Sequence, residues 1–85
     1  MKKFEYRIID ENGIHARPAG LLVKTAKAFE SKLTVTKDGE SADAKKLFAL
    51  MGLCVKKGDT ITITAEGVDE DAALATVSEF LSQNL

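Results

Sequence analysis

The sequence predicts an α+β fold of two layers, one antiparallel sheet with helices on a single face. Three observations lead there. Short stretches with an apolar residue at every second position alternate with stretches whose apolar residues recur at helical spacing. Each strand-like stretch has one apolar and one polar face, so it needs cover on one side only. The order β-α-β-β-α-β-α contains no repeat, linker or low-complexity tract, so residues 1–85 are expected to form a single domain around one core.

The elements follow in order. Phe4, Tyr6 and Ile8 alternate with Glu5 and Arg7, which predicts a first strand, and Asn12-Gly13 supplies turn chemistry after it. Over residues 16–29, Ala19, Leu22, Val23, Ala26 and Phe29 share one side of a helix. Arg17, Gly20, Leu21, Lys24 and Lys27 share the other. Pro18 falls in the first turn, where no N–H has an intrahelical partner and its missing donor costs nothing. Leu33 to Thr36 alternates as a second strand, Lys37-Asp38-Gly39-Glu40 reads as a hairpin turn, and Glu40 to Asp43 returns as a short third strand. Lys45 to Met51 reads as a short helix with Gly52 as terminator. Thr60 to Ala65 sets isoleucines on one face and threonines on the other, as suits a sheet face left in water. The last helix is expected from about Asp69 to Leu81, with carboxylates in its first turn and Ala73, Val77, Phe80 and Leu81 buried.

Composition narrows the function. Twelve basic and 13 acidic side chains leave a net charge of −1, so bulk attraction to polyanions is not indicated. The charges are nevertheless segregated. Residues 1–57 hold all 12 basic side chains and 7 acidic ones, while residues 58–85 hold 6 acids and no Lys or Arg. Either the fold brings the two parts together and cancels the field, or a basic face is kept for an acidic partner. No apolar run approaches the roughly 20 residues that span a bilayer. The start, MKKFEYRII, lacks the apolar stretch of a signal peptide. The single cysteine, Cys54, cannot form an internal disulfide and is expected half-buried. The chain is therefore expected in the cytoplasm, without stable membrane insertion.

Few side chains are fitted to chemistry. There is one histidine, no Ser/His/Asp spacing, no P-loop and no metal-ligand cluster. The stretch Gly13-Ile14-His15-Ala16-Arg17-Pro18-Ala19-Gly20 stands apart, because it puts the sole histidine at the mouth of the first helix. Free N–H groups and the helix dipole make such a mouth an anion site. A cation is disfavoured there, which favours the neutral, nucleophilic imidazole. A phosphoryl group on His15 would lie within reach of the N–H groups of Ala16 and Arg17, and the Arg17 guanidinium could add a charge-assisted bond. A lone histidine at a helix start is also commonly a cap or a surface residue. The residues alone thus give an anion-friendly histidine and no pathway.

GIHARPAG at 13–20 resembles the active-site signature of the HPr family, the histidine-containing phosphocarriers of the bacterial phosphoenolpyruvate:sugar phosphotransferase system. The likeness extends over essentially the whole chain. It includes Ala44 to Leu53, Lys57-Gly58 and Ala65-Glu66-Gly67-Val68-Asp69-Glu70. The resemblance implies an open-faced β-sandwich with a four-stranded antiparallel sheet and three helices on one face. It implies that His15 accepts a phosphoryl group from phospho-enzyme I, originating from phosphoenolpyruvate, on Nδ1, and passes it to IIA domains of sugar permeases. Arg17 would assist both transfers. The protein would be a stoichiometric carrier, not an enzyme with its own turnover, it would need no metal or organic cofactor, and a monomer would suit it. The partner surface would be Gly20, Leu21, Lys24 and Lys27 of the first helix with Leu47, Phe48 and Met51 of the second, at least one of these three facing outward.

Two positions depart from the family. Lys46 stands where Gram-positive relatives carry a serine that a regulatory kinase phosphorylates, so that switch is expected to be absent. Cys54 stands where relatives usually carry glycine. Ser31, Ser41, Ser78 and Ser82 have no motif around them and receive no role. An HPr-like regulatory binding module, acting by protein contacts in catabolite or nitrogen control, is the alternative; the retained His15-Arg17 pair favours the carrier. A nucleic-acid binder is disfavoured, because the threonine face lacks stacking aromatics and the last third of the chain is acidic.

Overall fold

The computed structural model describes residues 1–85. The elements are β1 (Lys2–Arg7), α1 (Ala16–Lys27), β2 (Lys32–Lys37), β3 (Glu40–Asp43), α2 (Leu47–Gly52), β4 (Thr60–Glu66) and α3 (Glu70–Asn84), in the expected order. The sheet order is β1-β4-β2-β3, and every neighbouring pair is antiparallel. β1 and β2 both run against β4, so both finish at the end of the sheet where β4 begins. The loops that leave β1 and enter β4 must therefore meet, and this meeting builds the site described below.

Register aligns the apolar faces. Phe4 pairs with Ile63, Ile63 with Val35 and Val35 with Ala42, an inward row across all four strands. α1, α2 and α3 cover this row. Leu22, Leu33, Leu50, Ile61, Ile63 and Leu81 are fully buried, each contributing about 1.5–3 kcal/mol relative to an exposed side chain. Thr34, Thr36, Thr62 and Thr64 remain partly in water on the other face, and the Thr36 and Ser41 hydroxyls share a 2.9 Å hydrogen bond. Asp38 (φ +50°) and Gly39 (φ +83°) both take the left-handed conformation that a two-residue hairpin between β2 and β3 requires.

Helix ends depart from the pattern in places. α1 stops at Lys27, and Phe29 beyond it packs half-buried against the core, as do Val23 and Phe80. Gly52 is not a terminator. It is the last residue of α2, Leu53 is still right-handed, and the chain turns left-handed only at Cys54 (φ +52°). α3 runs three residues beyond the expected Leu81, to Asn84, and Leu85 just past it is buried.

Asp69 precedes α3 without capping it through its side chain. Its carboxylate instead reaches the start of β2, where it accepts bonds from the Glu30 N–H (3.0 Å), the Ser31 N–H (2.9 Å) and the Ser31 hydroxyl. Ser31, given no role from sequence, is buried and ties β2 to α3. The Ser31 hydroxyl first, then the Glu30 N–H, hold the Asp69 carboxyl below the usual carboxylate range. A lowered folded-state pKa means that the unfolded chain binds this proton first. The contribution is complete above the ordinary carboxylate pKa of about 4 and is lost as pH falls through the lower folded value. Urea midpoints between pH 7 and pH 2 are expected to fall at the acid end, and less steeply in Asp69→Asn. Parallel curves for the two proteins would remove this role from Asp69.

Candidate functional site

His15 occupies the N-cap position of α1 in an extended conformation (φ −106°, ψ −179°), half-exposed, and its imidazole makes no capping bond. Its carbonyl accepts the first intrahelical bond, from the Ala19 N–H at 2.9 Å. The N–H groups of Ala16 and Arg17 precede that bond and have no intrahelical acceptor. Pro18 contributes no N–H. The ring is thus left available at a helix end with two donors beside it, which is the arrangement that can receive an anion.

The loop before His15 is held from two sides. The Asp10 carboxylate accepts the Asn12 N–H (2.8 Å), and the Asp10 carbonyl accepts the Gly13 N–H (3.0 Å). The Ile14 N–H then donates to the Val55 carbonyl at 3.1 Å, and both side chains are buried. Gly13 has φ +62°, and a Cβ there would lie 2.2 Å from the Val55 oxygen. The close approach that seats His15 therefore requires glycine at position 13. No sequence motif marks Val55, because it acts through its backbone carbonyl; the Asn12-Gly13 pair was the available hint.

Arg17 is exposed and forms no ion pair. Lys24 and Lys27 are exposed in the last turn of α1, which carries no acidic residue. The ion pairs bear on the first reading of the charge split. The Met1 ammonium with Glu70, Lys2 with Asp71 and Lys37 with Asp59 join the basic and acidic parts, while the cations of α1 stay unpaired. Leu21 is 44% exposed, Met51 37% and Phe48 87%, whereas Leu47 is half-buried against the core and Gly20 is intermediate. α1, which carries Gly20 and Leu21, packs against α2, which carries Leu47, Phe48 and Met51. Lys46 sits at the N-cap of α2 with no capping bond, where the helix dipole opposes its charge.

Cys54 is exposed, contrary to expectation. Leu53 and Val55 on either side both turn into the core, and the left-handed backbone between them throws the Cys54 side chain outward. That conformation costs a non-glycine residue about 1–2 kcal/mol.

A family model described as the PTS HPr component phosphorylation site matches residues 2–83. The chain belongs to the HPr family. It is 50% identical over 70 residues to the phosphocarrier protein HPr of Haemophilus influenzae, covering 82% of each chain. Its fold is similar to the crystal structure of HPr from Thermoanaerobacter tengcongensis, with a TM-score of 0.94, 36% identity, and coverage of 98% of this chain and 93% of that one. It is also similar to Crh, a Bacillus subtilis catabolite repression protein solved as a domain-swapped dimer, with a TM-score of 0.79, 33% identity, and coverage of 100% of this chain and 98% of that one. The four-stranded sheet with three helices on one face is thus the open-faced sandwich of HPr. No helix is long and apolar enough to cross a membrane.

Proposed function

We propose that this HPr-family chain is a cytoplasmic, single-domain carrier that accepts a phosphoryl group on His15 and passes it on without turnover of its own. The observation that carries the reading is the uncapped His15 imidazole beside the N–H groups of Ala16 and Arg17 at the open end of α1. The donor is phospho-enzyme I, charged from phosphoenolpyruvate. The lone pair of His15 Nδ1 attacks phosphorus, an N–P bond forms, and the bond to the donor's carrying group breaks with its electron pair returning to that group. The new dianion meets the two backbone donors and the Arg17 guanidinium. Transfer to a IIA domain of a sugar permease repeats the exchange in the other direction. Little beyond positioning and charge stabilisation is asked of the protein.

The face around Leu21, Phe48 and Met51, rimmed by Arg17, Lys24 and Lys27, supports docking to those partners. Its apolar centre supplies affinity, and the unpaired cations speed encounter with an acidic surface. A monomer that exposes one site to successive partners suits such a shuttle. Similarity to Crh raises the second reading, a regulatory module acting by contact, but His15 with free donors beside it favours the carrier. Lys46 offers no hydroxyl, so kinase control at the start of α2 is absent from this reading. Incubation of the chain with enzyme I and labelled phosphoenolpyruvate is expected to load up to one phosphate per chain, labile to acid. A folded chain that stays unlabelled rules the carrier out.

A further inference from the structure

We propose that the Lys37 ammonium is a positioning group for His15, acting through the segment from Leu53 to Asp59; the catalytic part of this inference rests on the carrier reading. Lys37 is the last residue of β2, at the end of the sheet where β4 begins. Its Nζ donates to the carbonyls of Leu53 (3.2 Å) and Cys54 (2.9 Å) and pairs with Asp59 Oδ2 (3.2 Å). Three acceptors match the three donors of an ammonium group. The two carbonyls follow directly on α2, where the negative end of the helix dipole favours a cation. The Lys37 side chain is only 16% exposed, so solvent screens these bonds weakly.

The segment so gathered is the one on which the His15 loop leans. Asp59 Oδ2 also accepts the Lys56 N–H (2.8 Å), and the Asp59 N–H returns to the Lys56 carbonyl (3.0 Å), closing the turn. Lys37 thereby grips the chain on both sides of Val55. Between those grips, the Val55 carbonyl takes the Ile14 N–H, and Gly13 is pressed against it. Ile14 is joined directly to His15. Cys54, in a backbone conformation that its side chain disfavours, is held there by the bond on its own carbonyl. Without the ammonium, Leu53 and Val55 still anchor the segment through their buried side chains, so the expected defect is a loosened loop in a folded protein.

The test compares wild type with Lys37→Met, which keeps the stem and removes the charge, and Lys37→Arg, which keeps the charge. Amide hydrogen exchange by NMR reads the Ile14 N–H independently of any phosphoryl chemistry. In Lys37→Met the Ile14 amide is expected to exchange about tenfold faster, while the Leu22 and Ala26 amides inside α1 keep their rates. The maximal rate of transfer from the loaded chain, at saturating recipient, is expected to fall about three- to tenfold with half-saturation little changed. Lys37→Arg is expected to recover most of both losses. An unchanged Ile14 amide, a uniform loss of protection across the chain, or an unchanged transfer rate despite a loosened Ile14 overturns the proposal. A wild-type chain that accepts no phosphate removes the carrier reading, and the exchange data then decide the structural link alone.

Discussion

Replacing His15 by asparagine is expected to abolish phosphoryl uptake and, at the same time, to raise the unfolding free energy by about 0.5–1 kcal/mol. The two effects share one cause. Position 15 already has the extended backbone of an N-cap, yet its imidazole makes no capping bond. Asparagine is among the best N-cap residues, and its side-chain oxygen can accept the Arg17 N–H. Pro18 offers no second donor, which keeps the expected gain at the lower end of the usual range. The amide has no nucleophilic nitrogen, so no N–P bond can form. The native residue thus leaves the helix end unsatisfied, and what it forgoes in stability leaves two donors for an incoming anion. Urea unfolding and labelling from phosphoenolpyruvate measure both sides. An asparagine variant that takes up acid-labile label places the acceptor elsewhere. One that is destabilised by more than about 1 kcal/mol shows that the imidazole holds the fold in a way its contacts do not reveal.

Gly13→Ala is expected to cost about 3 kcal/mol or more. The left-handed backbone accounts for about 1–2 kcal/mol of this. The added methyl would stand 2.2 Å from the Val55 oxygen and 2.7 Å from the Lys56 Cα, both backbone atoms that cannot swing aside. Relief requires moving the 53–59 segment or the His15 loop, which breaks the bond from Ile14 to Val55. For a domain of this size, 3 kcal/mol lowers the melting temperature by roughly 12–24 °C. Transfer measured well below the melting point is also expected to slow, because the displaced loop carries His15. Circular dichroism melts and transfer rates at low temperature check the two parts. A melting temperature within a few degrees of wild type would mean that the loop has room the geometry denies.

The same two positions show how far local pattern reaches. Strand and helix order could be read from the chain because β1, β2 and β4 have a period of two, α1 has an apolar side, and the Asp38-Gly39 turn announces β3. His15 stood out because a lone imidazole before Pro18 at a helix start is a local arrangement, and the likeness of GIHARPAG to HPr then supplied the chemistry proposed for it. Phe48 and Met51 were readable as surplus apolar residues on a short helix, but Leu47 beside them packs half-buried. Periodicity over six residues is too short to say which of three neighbours faces out.

Other features had no local signal. Ser31 and Asp69 are far apart in sequence and meet because the start of β2 pairs with the end of β4, Lys32 opposite Glu66, just before Asp69. Cys54 read as a half-buried thiol, since nothing in its neighbours reports a left-handed backbone. Lys37 read as part of a polar hairpin turn, yet its ammonium is largely withdrawn from solvent. Side-chain period and helix-end chemistry are properties of a few consecutive residues, so element order and the place of His15 at the mouth of α1 were present in the chain itself. The pairing of β1 and β2 on either side of β4 brings three distant segments to one end of the sheet. It is this long-range pairing that selects the Val55 carbonyl as the support of Ile14 and gives Lys37 its partners, because a backbone acceptor has no residue type by which to announce itself.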